Sequence, residues 1–238
     1  MMKFVRILLM MLHRSVLLGL TIFCGMLVFQ KVESMKIKDA LHFCWSTITT
    51  IGYGAITPKT HLGKVLTMLY SIIGIPLFIL CLSSYGMLIN HCTVKIVTSF
   101  DQCCSGRKKV SYLHAKTGFV LFWVLIGEII AGTFILNVLT DWSMLDSAYS
   151  WVITLTTIGF GDYIPDYPPD SRYIKTAIIL VSELTTWATI ASFVQSVRSA
   201  ISEINNERRG FIAKLFCCYG DKRDEELYFL THDLDNEI

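Results

Sequence analysis

The run from Val65 to Ile89 holds 25 residues without one charge, and it has company: Ile7 to Phe29, Thr117 to Leu139 and Thr176 to Val197 are also apolar windows of spanning length. A helix needs about 20 apolar residues to cross a bilayer's hydrocarbon core. No water is present there to satisfy peptide groups, so a lone run of this kind crosses as a helix. Composition agrees. Hydrophobic residues make up 53% of the 238-residue chain and charged residues only 17%, against roughly 25% in a soluble domain. Mean hydropathy is +0.52. Lipid must therefore cover part of the apolar surface. Disorder, collagen and small disulfide scaffolds are excluded by the same numbers. A formal net charge of +2 is too small to indicate a nucleic-acid partner. The expected fold class is an all-α membrane protein with four transmembrane helices.

Details of the windows refine this. His13 and Arg14 interrupt the first, which is clean from Ser15 onward. A cleaved signal peptide is its rival reading, but no alanine precedes Ala40 to make an A-x-A site, and the stretch exceeds an ordinary h-region. Two shorter apolar stretches, Ala40 to Ile51 and Ser147 to Ile158, have the length of re-entrant helices. Basic residues set the orientation. Lys3, Arg6, Arg14, Lys95, Arg107, Lys108, Lys109, Lys116, Arg198, Arg208, Arg209 and Lys214 fall on the side of the termini; Lys31, Lys36, Lys38, Lys59, Lys64 and Arg172 fall opposite. Both termini are expected in the cytosol, of a multi-pass protein of the plasma membrane. None of the eight cysteines lies in an expected external loop, so no external disulfide is predicted. The pairs Cys103–Cys104 and Cys217–Cys218 lack the C-x-x-C spacing of a zinc site and fit juxtamembrane palmitoylation better.

The chain repeats itself at an offset of 107 residues: TTIGYG at 49–54 returns as TTIGFG at 156–161. Asp39 matches Asp146, Thr47 matches Thr154, and Pro58 matches Pro165 at the same offset. Each copy reads span, short apolar helix, hexamer, span. The expected organisation is a first pore repeat over 1–92 (pore helix and filter 39–54), a cytosolic linker over 93–116, a second repeat over 117–200 (pore helix and filter 146–161), and a cytosolic tail over 201–238. Two crossings per half give both halves one orientation. Such parallel repeats suit an axis along the membrane normal, hence a central pore.

The hexamer's chemistry is specific. Non-helical backbone at membrane depth is tolerated only where it is buried in protein or lines a watery path. Its glycines permit dihedrals strained for other residues, so successive carbonyls can face one axis and replace a cation's hydration shell. The residues that would line such a path are Thr50, Ile51, Gly52, Tyr53 and Gly54, with Thr157, Ile158, Gly159, Phe160 and Gly161. The preceding short helices present their negative ends to the entering ion. Asp39 and Asp146 are the expected N-caps. Asp162 would concentrate cations at the outer mouth.

These motifs resemble those of the two-pore-domain potassium channel family over about residues 4 to 200. GIP at Gly74 to Pro76 is similar to that family's second-span kink, and W-S-x-L-D at Trp142 to Asp146 to the lead-in of its second pore helix. The resemblance implies a potassium leak pathway with a selectivity filter of four loops, two per chain, in a homodimer or in a heterodimer with related subunits. It implies no enzyme activity, no catalytic residues and no cofactor beyond the permeant K+. Membrane lipid is the other expected partner. Three departures stand out. Only eight residues separate Gln30 from Asp39, where the family inserts an external cap. Ala55 follows the first filter where some relatives have a proton-sensing histidine. Glu183 replaces a hinge glycine in the last span. The missing cap and Glu183 motivate an alternative: a non-conducting or regulatory subunit that pairs with conducting relatives.

Four residues are gating candidates. Gly74 and Pro76 interrupt the second span, and Pro removes a helical hydrogen bond. Glu128 and Glu183 reach similar depths, roughly 16 and 15 Å into their spans, and intramembrane acids are functional candidates by default. Two readings stay open: a shared-proton contact that biases the last span, or separate hydrogen bonds. His61, in the loop after the first filter, is the pH-sensing candidate. No span has arginines at every third position, so nothing serves as a voltage sensor. His13, His42 and His91 do not form facing pairs within spans, which argues against haem.

Overall fold

The computed structural model describes residues 2–105, 112–165 and 172–234. Among the described residues six helices follow one another: α1 (Met2–Val32), α2 (Ile37–Ile48), α3 (His61–Ser105), α4 (Leu113–Leu139), α5 (Met144–Leu155) and α6 (Arg172–Leu234). Four contain segments long and apolar enough to span: Phe4–Val32, His61–Cys103, Leu113–Leu139 and Ile174–Asn205. The chain is an all-α, four-span membrane protein, as expected. Helices α3 and α6 outrun their apolar windows because a helix continues into water wherever its residues favour it, and hydropathy does not register that part. The basic residues Arg107, Lys108 and Lys109 lie outside the described residues, as do the side chains of Cys104, Arg208, Arg209, Lys214, Cys217 and Cys218. Cys24, Cys44, Cys81, Cys92 and Cys103 are free thiols.

Small residues let the helices approach. A Cβ on Gly74 would stand 2.6 Å from Ile48 Cγ2, and one on Gly132 would stand 2.1 Å from the Trp151 ring. The first fits the end of α2 against α3; the second seats the indole of α5 on α4. Ser192 donates to the Gly86 carbonyl at 2.8 Å where α3 meets α6. Close backbone contact through small residues is how membrane helices associate when lipid is as apolar as their side chains. A core of Ile48, Ile51, Phe78, Leu136, Trp151, Leu155 and Trp187 lies around the two short helices. α3 passes through Pro76 without a break, although that residue leaves the Ile72 carbonyl without its usual donor.

The caps differ from expectation. Ser143, not Asp146, is the N-cap of α5: its hydroxyl accepts from the Asp146 amide at 3.1 Å and donates to Asp146 Oδ2 at 2.7 Å. Asp146 stands at the third helical position of a capping box. The hydroxyls of Ser143 and then Tyr163 hold its carboxyl below the ordinary carboxylate range. The N-cap of α2 is Lys36, which makes no side-chain cap bond, and Asp39 lies in the first turn. Both short helices start about a turn earlier than their apolar stretches, because the charged residues Lys38 and Asp39 in one and Asp146 in the other break the hydropathy without breaking the helix.

Candidate functional site

Each hexamer leaves the C-terminal end of a short helix, and its first amides are spent there. Thr50 N–H donates to Thr47 O at 3.2 Å and Gly52 N–H to Ser46 O at 3.0 Å; Thr157 N–H donates to Thr154 O at 3.0 Å and Gly159 N–H to Ile153 O at 3.2 Å. Beyond that anchor φ is positive at every second residue: Thr50 (61°), Gly52 (61°), Gly54 (75°), Thr157 (56°), Gly159 (58°) and Gly161 (78°). In an ordinary strand successive carbonyls point to opposite sides. Reversing the sign of φ at alternate residues undoes that alternation and turns them to one side. Left-handed φ is easy for glycine and uncommon for threonine, so both threonines are held by the helix end.

The two loops lie side by side. A Cβ on Gly159 would come within 2.3 Å of Ile51 O, and one on Gly161 within 2.2 Å of Tyr53 O. The same direction at Gly52 meets nothing within 4 Å. Side chains show the same asymmetry. Ile51 is 3% exposed, whereas Ile158 is 50% and Phe160 64% exposed. Tyr53 packs toward α5, with its hydroxyl 2.8 Å from Thr154 Oγ1.

Around the loops, Tyr149 Oη donates to Asp162 Oδ2 at 2.9 Å, and Ser150 Oγ donates to the Tyr163 carbonyl at 3.2 Å, fixing the exit of the second loop to α5. The matched positions of the first loop are Ala55 and His42, whose ring stacks on Tyr53 at 5.5 Å. Behind the first loop, Trp45 Nε1 donates to Glu183 Oε2 at 3.2 Å; behind the second, Trp187 Nε1 donates to Leu155 O at 3.1 Å. Glu33 Oε2 accepts from Lys59 N–H at 2.9 Å, and Glu33 Oε1 accepts from Thr60 N–H at 3.1 Å and Thr60 Oγ at 2.6 Å. This clamp ties the end of α1 to the start of α3, where His61 is exposed.

The shared-proton contact between Glu128 and Glu183 is not formed. Glu128 Oε1 accepts from Thr189 Oγ1 at 3.0 Å, while Glu183 is bound to Trp45. Thr189 lies six residues beyond Glu183 on α6, roughly 9 Å along its axis, so the two acids are not level. Gly74 has the packing role against Ile48 described above. Tyr149, Trp45 and Glu33 carry no signal of their own in the sequence, and Thr154 stands out there only as the repeat of Thr47. The 107-residue offset was the available signal for Tyr149, since it pairs that residue with His42 and Asp162 with Ala55. Among the described residues no group of three or more His, Cys, Asp or Glu side chains is placed to hold a metal.

A family model described as "Ion channel" matches residues 15–91 and 119–199, the two repeats. Potassium channel subfamily K member 1 of Bos taurus is 28% identical over 208 residues, covering 82% of this chain and 57% of the relative. Potassium channel subfamily K member 10 of Mus musculus is 36% identical over 129 residues, 53% of this chain and 24% of the relative. The chain thus spans little more than half the length of the first of these relatives and about a quarter of the second.

Proposed function

We propose, from the premise that this chain belongs to the two-pore-domain potassium channel family, that it is a leak-channel subunit passing K+ down its gradient through four backbone-lined loops, two from each of two chains. The alternation of left-handed residues in both matched loops carries this reading. Carbonyls turned to one side offer a dehydrating cation the oxygens it loses from water. The amides of Thr50, Gly52, Thr157 and Gly159 are committed to the short helices, so donor groups do not compete for the path.

The pairing of loops supports two chains. Within one chain the second loop meets the carbonyls of the first, while the corresponding side of Gly52 is open. Repeating that step closes a ring with a second copy or a related subunit, in which Ile158 and Phe160 are covered as Ile51 and Tyr53 are here. A closed symmetric assembly needs no further edge. Both termini face the cytosol in the plasma membrane, as the basic flanks indicate. The non-conducting alternative rests on the missing cap and on Glu183; of these, the Glu183 carboxylate is turned to Trp45 behind the loop, which supports conduction.

Full-length chain reconstituted alone into liposomes tests this. Rubidium uptake above that of empty vesicles is expected, with reversal potentials that follow K+ and ignore Na+. Gly159→Ala, whose Cβ would strike Ile51 O, should abolish uptake. No uptake, or equal treatment of Na+, overturns the reading. Uptake restored only by a related conducting subunit establishes the regulatory alternative.

A further inference from the structure

Arg14 is a cation within an apolar helix, and its partners on α3 are neutral. Its Nη1 donates to the Leu80 carbonyl at 2.9 Å and to Ser84 Oγ at 2.6 Å. Among the described residues no carboxylate pairs with it; the ion pair there joins Lys116 and Asp101. Guanidinium has five N–H donors, so the edge formed by Nε and Nη2 retains three. The group is only half-buried, and that edge has no protein acceptor among the described residues. A cation in a span without a counter-charge is costly and seeks an anion.

An apolar groove of about 400 Å³ between α1 and α3 begins one turn above it, lined among others by Leu17, Thr21, Cys24, Leu66, Tyr70 and Ile73. Positions 14, 17, 21 and 24 recur at three- and four-residue steps, so Arg14 shares the face of α1 that lines the groove. On α3 the heptad step from Ile73 leads to Leu80, the residue that holds Arg14. Gly25 makes room at the base: a Cβ there would stand 2.5 Å from the Tyr70 ring. The groove therefore runs along the helices, from a fixed fork of donors toward the far leaflet.

We infer that Arg14 and this groove form a binding site for one anionic phospholipid of the leaflet nearer the termini, its phosphate on the Nε–Nη2 edge and an acyl chain in the groove. Arginine's fork matches two phosphate oxygens, and Nη1, held by α3, fixes the fork's direction. From Arg14 to Phe29 the groove face rises roughly 22 Å, enough for most of an acyl chain. An anionic lipid suits the site better than a zwitterionic one, whose choline carries its own cation to a site already positive. The inference needs the chain to span a membrane and does not depend on conduction.

Native mass spectrometry of the full chain in mild detergent, titrated with phosphatidylserine or phosphatidylcholine, reads the site directly. The first phosphatidylserine is expected to bind about ten-fold more tightly than phosphatidylcholine, and Arg14→Gln to lose about that factor. Cys24→Trp, a substitution at an exposed residue of the groove lining that fills the groove, should weaken binding comparably while leaving the fold intact. Equal binding of the two lipids overturns the inference, as does Arg14→Gln or Cys24→Trp within two-fold of the parent chain. Should Arg14→Gln fail to fold, the Cys24→Trp result and the comparison of lipids decide.

Discussion

Trp45 on the first short helix donates its indole N–H to the Glu183 carboxylate on the last span, a contact between residues 138 apart in sequence. Glu183 is only 5% exposed, so this bond ties the support of the first loop to α6. Truncating Glu183 to Ala leaves the indole N–H without that acceptor, at a cost of about 1–3 kcal/mol. Glu183→Gln keeps a side-chain oxygen to accept. The thermal midpoint of the purified chain should fall for Ala and stay near the parent for Gln. Equal midpoints for Ala and Gln would show that the contact contributes nothing.

Gly132 and Gly127 lie five residues apart on α4 in opposite circumstances. A Cβ at 132 would overlap the Trp151 ring, while one at 127 meets nothing within 4 Å. Overpacking a tight contact costs about 1–3 kcal/mol. Gly132→Ala should therefore lower the thermal midpoint and shift α5, reducing rubidium uptake, whereas Gly127→Ala should match or exceed the parent in both. Identical behaviour of the two would mean that α4 and α5 separate at no cost.

The spans and the two loops were legible because hydropathy and the repeated hexamer are local signals. What lay around them was not. Glu183 read as an isolated acid because its partner is distant in sequence, and depth counted separately on two helices put Glu128 level with it when Glu128 in fact faces Thr189. Asp146 reads as an N-cap because it is the residue that repeats, whereas Ser143, three residues before it, takes that place. The ends of α3 at Ser105 and α6 at Leu234 exceed any apolar window. Arg14 reads as a blemish in a span and as one of the basic flanks, since its partners Leu80 and Ser84 come from another helix.

Glu33 gives the junction of α1 and α3 a pH dependence. The Thr60 hydroxyl first, then the Lys59 amide, hold its carboxyl below the ordinary value of 4.5. A carboxyl lowered on folding contributes stability that is present above its unfolded value and lost as pH falls through the folded one. The parent's thermal advantage over Glu33→Gln should thus hold near pH 7 and shrink below about pH 4.5. A difference that is constant across that range would mean that the ionised carboxylate is not what clamps Lys59 and Thr60.

Tyr149 and Asp162 brace the exit of the second loop through one hydrogen bond, and the first loop, with His42 and Ala55 at the matched positions, has no such brace. If that bond holds the loop's shape, Tyr149→Phe and Asp162→Asn remove or weaken the same interaction. Their effects should then fail to add, as for residues in direct contact. Each should lower the ratio of rubidium to sodium uptake in reconstituted vesicles, and the double variant should fall no further than the worse single one. Additive losses would instead assign Asp162 a separate role, that of attracting cations by its charge. Raising the salt concentration would then weaken the effect of Asp162→Asn, because screening suppresses an exposed charge, and would leave that of Tyr149→Phe unchanged.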